Sequence, residues 1–183
     1  RKRWISGMKP RGRISVDGID IQSLPAPELR RRIGYVIQQT GLFPHMRVAE
    51  NIAVVPKLLK WDKARTNARI DELLHLVGLP PESYRRRYPA ELSGGEQQRV
   101  GLARALAVNP DTMLMDEPFG ALDAITRSKL QLELRRIHQE LGQTIIFVTH
   151  DIDEAVRLAD EIVIMREGRI VQDGDPLGIV TNP

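Results

Sequence analysis

The sequence has no cysteine. Disulfides and cysteine-ligated zinc are therefore excluded, which is compatible with a reducing compartment. It also has no apolar run long enough to cross a bilayer. Stretches such as TIIFV fall far short of the roughly 20 residues a spanning helix needs. The basic start, RKRWISGMKPRGR, has no apolar core and is not a secretory signal. It begins without Met, from which we expect a chain that starts inside a longer one. No repeat or low-complexity linker is present. Charge of one sign is scarce too: 27 basic against 24 acidic side chains leave a net charge of +3. That excess does not argue for nucleic acid; it suits a soluble protein, or one docked on an anionic membrane face. The last absence is chemical. The phosphate-cradling pattern G-x-x-x-x-G-K-[ST] occurs nowhere in the 183 residues.

What is there reads as one domain, or one domain with an inserted lobe. Apolar residues, at 42%, suffice for a packed core. RISVDG and IDIQSL form two short strands around a turn at Asp17-Gly18. RRIGYVIQQ gives a strand over Ile33 to Ile37. Ile70, Leu73, Leu74 and Val77 have helical spacing, and the helix stops at Gly78. A further helix follows Gly95 and ends before Asn109-Pro110. TMLMD is a short apolar run, expected as a buried parallel strand. Leu130, Leu134, Ile137 and Leu141 mark a helix closed by Gly142, and TIIFVT a strand. Asp151 with Glu154 suggests a capping box that opens a helix with Ile152, Ala155, Val156 and Ala159 on its apolar face. EIVIM and RIVQDG close the chain as strands. Helix alternating with buried strand predicts an α/β fold with a mostly parallel sheet. The core lobe is expected over about 1–44 and 98–183, with a helical lobe over about 45–97.

The chemistry gathers at predicted strand ends. Asp116 and Glu117 close TMLMDEP, at the sheet edge where ligands bind in open α/β folds. Asp116 suits Mg2+, which prefers one or two carboxylates plus phosphates. Glu117 can polarise an attacking water. An isolated Asp-Glu-Pro equally opens a turn. His150 follows TIIFVT, one crossover away, and is expected beside Glu117, although a strand-end His is commonly solvated. Gln38 ends GYVIQ; its amide can ligate Mg2+ or water, or be a plain loop glutamine. Ser93-Gly94-Gly95 opens a helix, where backbone N–H groups and the macrodipole favour an anion. The same residues fit an ordinary Ser N-cap.

The ordered set Gln38, Ser93-Gly94-Gly95, Asp116-Glu117, Asp123 and His150 resembles the nucleotide-binding subunit of an ABC transporter. LSGGEQQRV is similar to the family signature, TMLMDEP to its Walker B strand, GALD to its D-loop, VTHD to its switch histidine and GYVIQQTGLFPH to its Q-loop. The resemblance implies a P-loop NTPase-like fold lacking the P-loop strand and helix. It implies ATP and Mg2+ as cofactors, Glu117, His150 and Gln38 in catalysis, and Asp116 and Gln38 at the metal. It places Ser93, Gly94, Gly95, Glu96 and Asp123 at nucleotide. Glu96 stands where the signature more often has Gln, and an acid there is expected to weaken phosphate contact.

The segments ELRRRIGYVIQQTGLFPHM, VPKLLKW, MDEPFGALD and THDIDEA resemble ATPases of bacterial quaternary-amine importers, the glycine betaine, carnitine and choline class. The resemblance implies a head-to-tail homodimer in which each signature caps ATP held by the partner's P-loop. It also implies a transmembrane permease, a substrate-binding protein reached indirectly, no nucleic acid, and a peripheral place on the cytoplasmic face of the bacterial inner membrane. The start RKRWISGMKPRG matches the family poorly. We therefore expect a truncated ABC ATPase, without P-loop or trailing regulatory domain, that hydrolyses ATP at background by itself. The other readings are a degenerate subunit that docks without hydrolysis and a soluble ABC ATPase of DNA repair or translation. The compact stretch between Gln38 and Ser93, without a long coiled-coil insertion, disfavours the DNA-repair type.

Overall fold

A computed structural model describes residues 12–181 except Asp17, Gln39, Thr40 and Ala121. The turn expected at Asp17, part of the Q-loop and D-loop resemblances, and the mismatched N-terminal stretch over residues 1–11 therefore fall outside the described residues.

The chain opens with β1 (Ser15–Val16) and β2 (Ile19–Asp20), an antiparallel pair. Then come α1 (Ala26–Arg31) and β3 (Ile33–Val36), which ends one residue earlier than the apolar run suggests. Helices follow: α2 (Val48–Ile52), α3 (Val54–Leu58), α4 (Lys63–Leu76), α5 (Pro81–Tyr84) and α6 (Gly94–Leu106). Next are β4 (Thr112–Asp116), α7 (Ala124–Leu141), β5 (Thr144–Val148) and α8 (Ile152–Leu158). The chain closes with the antiparallel pair β6 (Ile162–Arg166) and β7 (Arg169–Gly174), then α9 (Pro176–Thr181).

The central sheet is parallel, in the order β3-β4-β5. Its register sets the site: Val36 lies opposite Met115, Met115 opposite Phe147, and Asp116 opposite Val148. Residues that follow these ends emerge side by side at the C-terminal edge. β4 is buried, as expected for a central parallel strand. β5 is not. Ile146 is 55% and Val148 58% exposed, because they share an open sheet face with Tyr35 of β3, itself 54% exposed, in the row Tyr35–Leu114–Ile146.

The helices follow their sequence signals. Asp62 caps α4 by accepting the Arg65 amide at 2.8 Å. Ile70, Leu73, Leu74 and Val77 are buried from its apolar face, each stabilising by about 1.5–3 kcal/mol relative to exposure. α7 buries Leu130, Leu134 and Ile137. It ends at Gly142, whose φ of +63° supplies the left-handed turn that terminates helices cheaply only without a Cβ. One apolar cluster runs from Val48 and Ile52 of α2, through Val100 and Leu106 of α6, to Met113 of β4 and Leu134 of α7.

α8 departs from expectation. Asp151 caps it, accepting the Asp153 and Glu154 amides, but Glu154 does not return the bond. Its carboxylate is buried and accepts the Thr149 hydroxyl at 2.7 Å. Ile152, assigned to the apolar face, is 50% exposed. Ala155 is buried as expected, with Val156 and Ala159 packed beside it, but the helix turns Glu154 inward in place of Ile152, because Glu154 has partners on the core side.

Asn51 gave no sequence signal and organises a whole loop. It is fully buried. Its Oδ1 accepts the Phe43 amide at 2.8 Å, and its Nδ2 donates to the carbonyls of Phe43, Met46 and Arg47. The segment that precedes α2 thus satisfies its backbone through one side chain. The first amides of α2 are met from another segment, Val48 by the Arg87 carbonyl and Ala49 by the Arg85 carbonyl. Asn51→Ala strips four part-buried hydrogen bonds from the loop backbone. We predict a loss of about 2–4 kcal/mol in urea unfolding and faster proteolysis between residues 41 and 47. An unchanged midpoint would contradict this role.

Candidate functional site

The three strand-end groups converge. Gln38 lies two residues past β3, Glu117 one past β4 and His150 two past β5. The Gln38 amide donates to Glu117 Oε2 at 2.7 Å. His150 Nδ1 lies 3.3 Å from Glu117 Oε1. The Glu117 carboxylate is thus held from both sides. Its backbone is also fixed: the Glu117 amide donates to the Val148 carbonyl at 2.9 Å, one rung beyond the β4–β5 ladder. Glu117 has φ +44°, a conformation costly for a residue with a side chain and concentrated at functional sites. Phe119, buried in the core, anchors the turn that follows. At Gly120 a Cβ would sit 3.3 Å from Glu117 Oε2, so glycine leaves room beside the carboxylate.

Asp116 is exposed at the end of β4. No described side chain hydrogen-bonds to its carboxylate, which leaves it open to a cation. Among the described residues no group of three or more His, Asp or Glu side chains could hold a metal ion. This donor set fits Mg2+, which takes one or two carboxylates and completes its shell with phosphate and water. The carboxylate of Asp116 and the amide oxygen of Gln38 are the groups available.

The signature lies on a second surface. Ser93 is the N-cap of α6, and Glu96 completes a reciprocal capping box. Glu96 Oε2 accepts the Ser93 amide at 2.7 Å and the Ser93 hydroxyl at 2.9 Å. Its Oε1 accepts the Tyr84 hydroxyl at 2.5 Å. That bond from Tyr84, followed by those from Ser93, holds the Glu96 carboxyl below its ordinary value, while Tyr84 is pushed up. The acid expected to weaken phosphate contact is bound within its own capping box, with its charge turned back onto Ser93 and Tyr84. The two glycines divide. Gly94 is exposed, and an added Cβ would meet nothing closer than Leu122 at 3.8 Å. Gly95 is buried, and an added Cβ would lie 2.4 Å from the Thr126 methyl. Its missing side chain is used for packing α6 on α7.

Asp123 caps α7, accepting the Ile125 and Thr126 amides at 3.1 Å. Hydrogen bonding from Thr126, then from Ile125, holds its carboxyl below the usual range. Asp123 therefore stands near the signature, because its partner Thr126 packs on Gly95. Gln98, buried in α6, donates to the Pro118 carbonyl at 2.7 Å and links this surface to the Glu117 turn. Among the described residues no hydrogen bond joins Ser93, Gly94 or Gly95 to Asp116, Glu117 or His150.

Sequence reasoning missed Glu96 as a cap, although S-x-x-E is a legible signal. It missed Tyr84, which has none: the tyrosine lies twelve residues upstream and meets Glu96 only through α5. Because the folded Glu96 titrates below its ordinary value of 4.5, its contribution is present above the unfolded value and lost as pH falls through the folded one. We predict that Tyr84→Phe costs about 1 kcal/mol at neutral pH. The gap from the parent should close as pH falls below the ordinary carboxyl value and through the lowered one, where Glu96 takes up its proton. Denaturant unfolding across that range is the check; a gap that persists in acid assigns the loss to packing.

Comparison with known proteins gives consistent matches. A family model described as ABC transporter matches residues 3–120. A glycine betaine uptake system ATP-binding protein of Escherichia coli (strain K12) is 60% identical over 172 residues, covering 94% of this chain and 56% of that protein. A glycine betaine/carnitine/choline transport ATP-binding protein of Bacillus subtilis (strain 168) is 58% identical, with 94% and 45% covered. The chain thus spans about half the length of these curated relatives. Among solved structures, cbiO1 of Clostridium perfringens, part of an ABC transporter complex, aligns with a TM-score of 0.86 at 30% identity, covering 94% of this chain and 69% of that one. A dimeric ATP-binding cassette in a post-hydrolysis state bound to ADP and Pi aligns with a TM-score of 0.76 at 33% identity, covering 91% and 74%.

Proposed function

The chain belongs to the ABC transporter family, and from that premise we propose that it forms the signature, Walker B and switch portion of an importer ATPase. The observation that carries the reading is the Glu117 carboxylate, gripped by Gln38 and His150 at the end of a buried parallel strand. The sequence has no G-x-x-x-x-G-K-[ST] pattern. Hydrolysis is therefore assigned to the full-length protein, in which P-loop amides and a lysine hold the phosphates.

Bound Mg·ATP supplies an electrophilic γ-phosphate and a leaving group stabilised by the metal. Beside the P-loop contribution, this chain brings four residues to that step. Asp116 and the amide oxygen of Gln38 are the groups that would hold the metal. Glu117 accepts the proton of the attacking water and orients it. His150 lies against Glu117 Oε1 and fixes the direction of the carboxylate, while its ring stays exposed to an incoming group. Gln38 would link a bound metal to the base, because its nitrogen donates to the Glu117 carboxylate.

The substrate class rests on relatives named for glycine betaine, carnitine and choline transport. The proposed cargo is a quaternary-amine osmoprotectant, gripped by other subunits. A transmembrane permease would dock on the Gly41–Ile52 surface, where Phe43 is 39% exposed and Asn51 holds the loop. No described helix is long and apolar enough to cross a membrane. The proposed place, as a permease-docked subunit, is peripheral on the cytoplasmic face. Helices α2 to α5 and the start of α6 fall within the proposed helical signature lobe of residues about 45–97. A head-to-tail second copy is supported by the exposed backbone at Gly94, which no described group of the Glu117 edge hydrogen-bonds, and by the dimeric relative.

In the full-length protein, Glu117→Gln should retain Mg·ATP binding and lose turnover by roughly 100-fold or more. Steady-state hydrolysis with equilibrium nucleotide binding is the check, and unchanged turnover would remove Glu117 from the chemistry. For the signature, Gly94→Asp places a carboxylate at an exposed helix start where phosphate is to approach. It should abolish ATP-driven dimerisation and leave monomer binding intact. Photo-crosslinking of an ATP analogue to Ser93 of the opposite subunit is expected. Labelling confined to the subunit whose own P-loop holds the nucleotide would refute the arrangement.

A further inference from the structure

Arg127, one turn into α7, has no role in the account above. Its Nη2 donates to the Leu122 carbonyl at 3.1 Å. Its Nη1 lies 3.6 Å from Asp151 Oδ2, and its Nε 3.8 Å from Glu154 Oε1. The carboxylates belong to α8 and its cap, the carbonyl to the loop that opens α7. One guanidinium therefore spans two loops. The planar fork of arginine makes this possible, since it presents five donors in fixed directions and a lysine ammonium cannot.

The α8 side of this knot is built around His150. Glu154, with a side chain 7% exposed, accepts the Thr149 hydroxyl at 2.7 Å and the Gln131 amide at 3.3 Å. The Thr149 hydroxyl in turn accepts the Asp151 amide at 3.0 Å. Both neighbours of His150 are thus bonded into the Arg127 cluster. Arg127, Thr149 and Asp151 also line the same cavity as Glu117 and His150. The Arg127 Nε is buried without a hydrogen-bond partner. Its ion-pair distances exceed hydrogen-bonding range by under about 1 Å, so a small shift of α7 towards α8 would close the fork.

We propose that Arg127 is a positioning residue that ties the His150 loop to the start of α7. The place of His150 beside Glu117 then depends on where the Leu122–Asp123 turn sits. This inference rests on the reading of Glu117 and His150 as the hydrolytic pair. Anything that presses on the turn, such as an opposing subunit, would be transmitted through the guanidinium to the histidine. Gln131, from the next turn of the same helix, reinforces the link by bonding Glu154.

The test uses the full-length protein. Arg127→Met should lower kcat by about 10- to 100-fold and leave KM for Mg·ATP unchanged, the pattern of a displaced group rather than lost binding. The His150 imidazole signals in NMR should shift or broaden, and amide exchange over Thr149 to Asp151 should quicken by about tenfold or more. Arg127→Lys should not restore kcat. If Arg127→Met does not fold, Asp151→Asn removes the charge facing Nη1 and keeps a capping oxygen, and its His150 signals should move likewise. Parental His150 signals and loop exchange in the folded variant would overturn the proposal. The hydrolytic reading fails separately, if Glu117→Gln turns over normally; the NMR and exchange results still judge Arg127.

Discussion

The hydrogen bond from the Glu117 amide to the Val148 carbonyl, 2.9 Å long, is the constraint on which the site depends. It adds one rung to the β4–β5 ladder after β4 has ended. Without it, a glutamate at φ +44° would relax to a common conformation and its carboxylate would leave the sheet edge. With it, Glu117 is carried across to the strand that leads to His150. Gln38 then meets the other carboxylate oxygen because β3 is in register with β4 on the opposite side. Three parallel strands supply the three groups, and the order β3-β4-β5 puts the glutamate in the middle.

The signature surface is built by a different rule. Helix α6 needs partners for its first amides, and Ser93 with Glu96 provides them within four residues. Glutamate at this position strengthens the cap, because its charge accepts two donors from Ser93 and one from Tyr84. Gly95 lets the start of α6 close on Thr126, and Gly94 stays uncovered. One glycine of the pair therefore serves packing, and the other leaves backbone open at a helix N-terminus.

Helix α7 touches both surfaces. Its start is set by the Asp123 cap, its first turn packs on Gly95, and Arg127 faces the cluster around His150. Gln98 makes a shorter connection, from α6 to the Pro118 carbonyl. Glu117 and the signature helix are thus bracketed by buried polar contacts. Such contacts are costly to leave unsatisfied and so resist independent drift of the two surfaces.

The sequence by itself determined the elements whose causes are local. Helix α4 was legible from the spacing of Ile70, Leu73 and Leu74, and α7 from its apolar period and Gly142. β4 was legible as an apolar run ending in Asp116. Caps, breakers and periodicity act within a few residues, so their spacing is written along the chain. The candidate site was legible as an ordered set of strand-end and helix-start residues. The tertiary structure alone decided the rest. It placed Ile146 and Val148 on an exposed strand, since whether an apolar strand is covered depends on what packs beside it. It turned Glu154 inward in place of Ile152, chose Asn51 as the anchor of a loop and paired Tyr84 with Glu96. It also set Arg127 between Leu122, Asp151 and Glu154. These contacts depend on the register of distant strands and on which helix faces meet, and no spacing within one segment encodes that.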